Sequence, residues 1–189
     1  MIKSLSQGSP LVLSILNWLI TVGSAVLCLL ALPIRLPGME LTGIGPNWLL
    51  IWVVTWSVKR TACQGALAGV VLGLIQDGMT APLPTHALSL GLVGMLTARL
   101  QKQRYVEEDF ISVALIVFGM AVVSETVVAV QYSLIKEAPP FRYTPSLADI
   151  WLYHQQISLS SAILSSLWAP VVYYLLNRWW DWFNYLEQP

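Results

Sequence analysis

Residues 11–32 read LVLSILNWLITVGSAVLCLLAL, without one charged side chain, and stop at Pro33. A helix needs about 20 apolar residues to cross some 30 Å of hydrocarbon, and this run supplies them. Cleaved secretory signals have a shorter apolar core and a small-residue cleavage site, so the run reads as a retained span. Cys28 follows bulky Leu27, where a lipoprotein signal wants a small residue, which argues against lipidation.

The rest of the chain has the same character. Of its 189 residues, 56% are hydrophobic and 11% charged, against roughly 25% charged in a typical soluble domain. So few charges cannot keep a soluble surface wet. The formal net charge of zero lacks the basic excess of a nucleic-acid binder. Two cysteines are too few for a disulfide scaffold or a four-ligand zinc site. These features predict an all-α integral membrane protein, one transmembrane domain of six spans at about 11–32, 43–58, 61–76, 84–98, 110–134 and 155–176. The second to fourth are short, about 15 residues or ~22 Å, so they must thin the bilayer or be shielded by longer neighbours.

Basic residues in short loops set orientation. Lys3, Lys59, Arg60, Arg99, Lys102, Arg104 and Arg178 fall on one side, and Arg35, Lys136 and Arg142 on the other. The uneven split predicts that both termini lie inside. The longest polar stretch, Lys136–His154, then lies outside, with Thr144-Pro145 as a helix start and Leu147, Ile150 and Trp151 on a short interfacial helix. Trp179, Trp180, Trp182, Phe183 and Tyr185 fit an aromatic belt at the inner interface.

Small residues mark helix seams in lipid, where close packing replaces hydrophobic exclusion. Gly65, Gly69 and Gly73 recur at fours on the third span, and Ala87, Gly91, Gly94 and Ala98 at helical spacing on the fourth. The two spans are therefore expected to pack backbone to backbone. On the first span Ser14, Asn17, Thr21, Ser24 and Cys28 form one polar-to-small stripe, expected to face the bundle and bond between helices rather than line a ligand site.

Three sets of residues invite functional readings. Glu125 is a formal charge deep in a long span, nine residues from Leu134. An ionised acid there costs roughly 2.5–3.5 kcal/mol, so it must be sheltered, paired or protonated. Matching its depth along the sixth span, begun at residue 155, leads to Ser161 and Ser165 as its expected partners. A proton relay would need further titratable groups in series, which favours a structural acid. Asp77 ends the third span, where the helix dipole disfavours a carboxylate. The start of the fourth span, His86 or Arg35 could hold it; an acid–base pair of Asp77 and His86 would lack a nucleophile, a metal-ligand set or a phosphate loop. Trp48, Trp52 and Trp56 recur at fours on the second span, either as a core or lipid-facing ridge or as a surface for a partner's transmembrane helix.

The runs GPNWLLIWVVTWSVKR at 45–60, GVVLGLIQDG at 69–78 and His86-Ala87-Leu88 together resemble the rod shape-determining protein MreD family. The resemblance rests on Pro46, Asn47 and Trp48, on Gly69, Gly73 and Asp77, and on Trp168 and Pro170. Pro84-Thr85 stands where that family often has glycine, which alters the turn but leaves Asp77 in place. The resemblance implies a multi-pass, non-enzymatic scaffold of the bacterial cytoplasmic membrane, without cofactor or metal, that binds the single-span protein MreC. It would act alongside the actin-like filament protein, a glycan polymerase and a transpeptidase in peptidoglycan synthesis. It also implies a likeness to the substrate-binding subunit of energy-coupling-factor transporters. A second reading follows: a small-molecule-binding transport subunit with a pocket between the first, fifth and sixth spans, around Asn17, Thr21, Glu125, Ser161 and Ser165. A membrane enzyme built on Asp77 and His86 is the third.

Overall fold

The computed structural model describes residues 10–34, 38–41, 43–80, 84–102, 110–134 and 147–187. Lys3, Arg35, Arg104, Lys136, Arg142 and the Thr144-Pro145 helix start lie outside them. The described residues form six helices in order: α1 (Pro10–Ala31), α2 (Trp48–Ser57), α3 (Ala62–Met79), α4 (His86–Lys102), α5 (Phe110–Leu134) and α6 (Leu147–Glu187). Among the described residues the only extended pairing is an isolated bridge, in which Leu41 and Ile44 exchange backbone hydrogen bonds around Gly43 at φ 79°.

Local chemistry explains the helix ends. The side chain of Asn47 accepts from the backbone N–H of Leu50 and starts α2. Thr61 and Gln64 form a reciprocal capping box that starts α3. At the other end of α3 the backbone N–H and the hydroxyl of Thr80 both donate to the Gln76 carbonyl.

α1, α3, α5 and α6 carry stretches long and apolar enough to cross a membrane, whereas α2 and α4 are shorter. Two boundaries differ from expectation. α2 has 10 residues rather than a span from 43 to 58, because the chain at Ile44–Asn47 is not helical. α6 begins at Leu147 and runs for 41 residues through Pro170. Leu147, Ile150 and Trp151, expected on a separate interfacial helix, belong to the first turns of α6 itself, since nothing between Trp151 and Gln155 breaks a helix.

α3 packs most closely on α4, and α5 on α6; α2 touches all five other helices. It is the axis of the bundle. Leu49, Leu50, Ile51, Val53 and Val54 are fully buried, as suits a helix that is apolar all round. α1 lies at the rim with Ile15, Trp18, Leu19, Val22 and Leu27 exposed. Of its polar stripe, Thr21 and Ser24 donate to carbonyls of their own helix, Ser24 also accepts from the indole N–H of Trp52, and Ser14 faces outward.

The α3–α4 seam leaves no room for side chains. A Cβ on Gly65 would land on the Gly94 carbonyl, one on Gly69 on the Leu90 carbonyl, and one on Gly73 on the Ala87 backbone. A Cβ on Gly94 would strike the Gly65 carbonyl. Gly91 is less constrained: its one close contact would be the end of the Val70 side chain at 2.7 Å, with backbone atoms at ordinary contact distance. Gly119 of α5 has open space around it. Gly69→Ala should therefore destabilise the bundle by about 1–3 kcal/mol through overpacking, whereas Gly119→Ala should be neutral or gain up to about 1 kcal/mol. Melting temperatures of the two variants in detergent check this; equal shifts would mean that the seam is not tight.

Candidate functional site

The seam sets the last turn of α3 beside the first turn of α4, and Asp77 bridges them. One carboxylate oxygen accepts from the backbone N–H of His86 at 2.8 Å and from its ring Nδ1 at 2.7 Å. The other accepts from the Thr85 hydroxyl at 2.6 Å and, more distantly, from the N–H of Ala87 at 3.4 Å. An ionised carboxylate only accepts, so the Nδ1 of His86 carries the proton. The side chain of Asp77 is only 10% exposed. Its charge opposes the dipole of α3 but favours that of α4, whose first amides it caps. Its position at a carboxyl-terminal helix end is thereby accounted for.

α5 joins the same corner. The Gln131 side chain accepts from the Thr85 N–H and donates to the Thr85 carbonyl, both at 3.0 Å. Nothing in the sequence marks Gln131, and Thr85 is marked only as a departure from the family's glycine. Arg35, the other candidate partner of Asp77, lies outside the described residues.

Below this corner, inside the bundle, is a cavity of about 210 Å³ lined by Asn47, Gln76, His86, Ser89, Ser124, Glu125 and Ser161, among others. The side-chain oxygen of Gln76 is buried there without a hydrogen-bond partner, and among the described residues Glu125 makes no hydrogen bond or ion pair. Glu125, Val128 and Ile157 also line a wider, mostly apolar groove of about 580 Å³ with Tyr132, Tyr153 and His154. Glu125 therefore stands where an inner cavity of mixed polar and apolar wall meets an outer, mostly apolar groove. Two unmatched acceptors beside serine hydroxyls suit several waters or a small hydrogen-bond donor. No cluster of three metal-ligating side chains occurs among the described residues.

Three expectations need correction. First, Trp48, Trp52 and Trp56 are not an open ridge on the outside of the bundle. Trp52 is 4% exposed, stacks on Trp56 at 5.7 Å and bonds Ser24; Trp48 packs on Trp168 at 5.6 Å. Trp48 and Trp56 are half-buried and pack against the core that contains Trp52. Second, Glu125 shares a cavity wall with Ser161 but bonds neither Ser161 nor Ser165. The Ser165 hydroxyl instead accepts from the backbone N–H of Asn47 at 2.9 Å. α6 starts eight residues earlier than the depth match assumed, so the level of Glu125 falls two turns higher, near Ile157. Third, the cavity is lined by α3 to α6 and by the segment between α1 and α2, and Asn17 and Thr21 do not line it.

Removing the carboxylate that ties α3 to α4 should cost about 1.5–3 kcal/mol in Asp77→Ala, and removing the amide clamp about 0.5–1.5 kcal/mol in Gln131→Ala. Asp77→Asn, which still accepts, should lie closer to the parent. Thermal unfolding in detergent reads the order; an Asp77→Ala protein that melts with the parent would show that the carboxylate holds nothing.

No curated protein and no solved structure matches the chain. The family model described as rod shape-determining protein MreD matches residues 12–178, a stretch that runs from α1 into α6 and includes the seam, the Asp77 corner and the cavity. The match covers most of the chain, and this membrane protein belongs to the MreD family of rod shape-determining proteins.

Proposed function

We propose that the protein is a non-enzymatic scaffold of the bacterial cell-elongation machinery, holding MreC in the inner membrane and helping to direct peptidoglycan synthesis. It crosses that membrane six times with both termini in the cytoplasm, in an arrangement like the substrate-binding subunit of energy-coupling-factor transporters. The observation that carries this reading is the reach of the family match, which takes in every helix of the bundle rather than one motif.

The distribution of charge supports the orientation. Lys59 pairs with Asp181 at 3.3 Å, so the α2–α3 turn and the end of α6 lie at one end of the bundle. Arg60 and Arg99 share a cleft with Lys59, and Arg178 lies beside Asp181, so the cations gather at that end. With Trp52 buried and Trp48 and Trp56 half-buried, the fully exposed apolar surface open to a partner is elsewhere, where α3 offers Leu67, Val71 and Leu74, α5 Leu115, and α6 Leu159 and Leu167.

Co-expression with MreC should yield a complex that survives purification in mild detergent, and loss of the protein should round rod-shaped cells. Photo-crosslinkers at Leu19, Leu67, Leu115 and Leu167, one on each of four helices, should capture MreC from at least one helix face and not from Trp52. Absence of MreC from every position and from the purified complex would remove the adaptor reading.

A second reading, a small-molecule-binding transport subunit, rests on the unmatched Gln76 and Glu125 acceptors in the inner cavity. Ligand binding to the folded state raises apparent stability, so a panel of small amines and vitamins that leaves the melting temperature unmoved would retire it.

A further inference from the structure

The end of the bundle opposite Asp77 holds a cleft of about 530 Å³ between the α2–α3 turn and the last part of α4. Lys59, Arg60 and Arg99 line it, together with Thr61 and Gln64 from the start of α3. No acidic side chain is on its wall among the described residues. Lys59 has Asp181 as a partner. The guanidinium groups of Arg60 and Arg99 have no ion-pair partner among the described residues.

Arg60 is held by an aromatic face rather than by a carboxylate. Its guanidinium lies 5.1 Å from the Trp56 ring centroid, and its Nε is buried without a hydrogen-bond partner. Stacking fixes a planar cation without neutralising it. The amino end of α3 adds partial positive charge to the same wall. Val58, Ala62 and Ala98 supply apolar surface beside these groups.

The cleft also has a depth. Asp181, the partner of Lys59, lies in sequence between Trp179 and Trp182, whose rings are 5.0 Å apart. Tryptophans at a helix end mark the headgroup level of a bilayer. Unneutralised cations at that level, next to an apolar wall, match an amphiphile whose phosphate is its only charge. We propose that this cleft binds the phosphate of an anionic membrane phospholipid, with Arg60 and Arg99 as its ligands. The site stands apart from the adaptor reading and does not require it.

The test adds phosphatidylglycerol or phosphatidylcholine to the full-length protein in detergent. Melting temperature and native mass spectrometry of retained lipid are the readouts. Phosphatidylglycerol should stabilise the parent saturably and phosphatidylcholine should not. Each basic residue near a membrane surface is worth about fivefold in affinity. Arg99→Gln should therefore weaken binding about fivefold, and adding Arg60→Gln should weaken it about 25-fold overall. Arg178→Gln, at the same end but outside the cleft, should bind like the parent. Arg99 is exposed, so its variant reads the site even if Arg60→Gln, which also uncovers Trp56, fails to fold. Equal protection by phosphatidylcholine, or equal weakening by Arg178→Gln, would overturn the proposal. So would stabilisation by inorganic phosphate alone, which would make this a site for soluble phosphate.

Discussion

Along the face marked by Gly65, Gly69 and Gly73, no side chain separates α3 from α4, and the backbones themselves are in contact. Much else depends on this approach. It brings the end of α3 within reach of the first amides of α4, so one carboxylate can close both. It also makes the pair a single slab against which α2 rests, with Val53 near Gly94 and Ser57 near Gly65. Lipid offers no hydrophobic drive to hold helices together, and van der Waals contact at this range is the available substitute. A methyl group at Gly69 would push the slab apart at its centre.

The second constraint is that hydrocarbon tolerates no unmet backbone group. α2 shows how the chain complies. Ten residues span about 15 Å, half the hydrocarbon thickness, and Ile44, Gly45 and Asn47, part of the segment that leads into it, line the internal cavity rather than facing lipid. The exposed amides at its start are met by the Asn47 side chain and by the Ser165 hydroxyl from α6. Irregular backbone survives inside a membrane protein under such conditions, wrapped in protein and bonded to it. The Asp77 corner obeys the same rule at the neighbouring helix start.

How much of this could be read from the residues depends on whether the signal is local. Glycines at intervals of four put a smooth stripe on one helix face, and two such stripes on adjacent helices point to each other. Asp77 is conspicuous in the sequence because its own helix end repels it. The tryptophans of α2 share a face by the same spacing, but spacing names a face without naming what covers it. The informative signal was the uniform apolarity of 48–54, which marks a helix buried on all sides. Gln131 and Thr85 are 46 residues apart and meet through tertiary packing alone. The depth assigned to Glu125 inherited an error of two turns from the start of α6, because nothing in 147–154 distinguishes a separate interfacial turn from the first turns of a longer helix.

The brevity of α2 bears on how the chain enters the bilayer during synthesis. Insertion machinery releases a segment sideways into lipid when its own apolar length suffices, and ten residues fall short of the ~20 that a lone crossing requires. α2 and α3, joined by four residues with the cations Lys59 and Arg60 at the bend, therefore have to partition as one hairpin. Joined in this way, α2 need not meet the length of a lone crossing by itself.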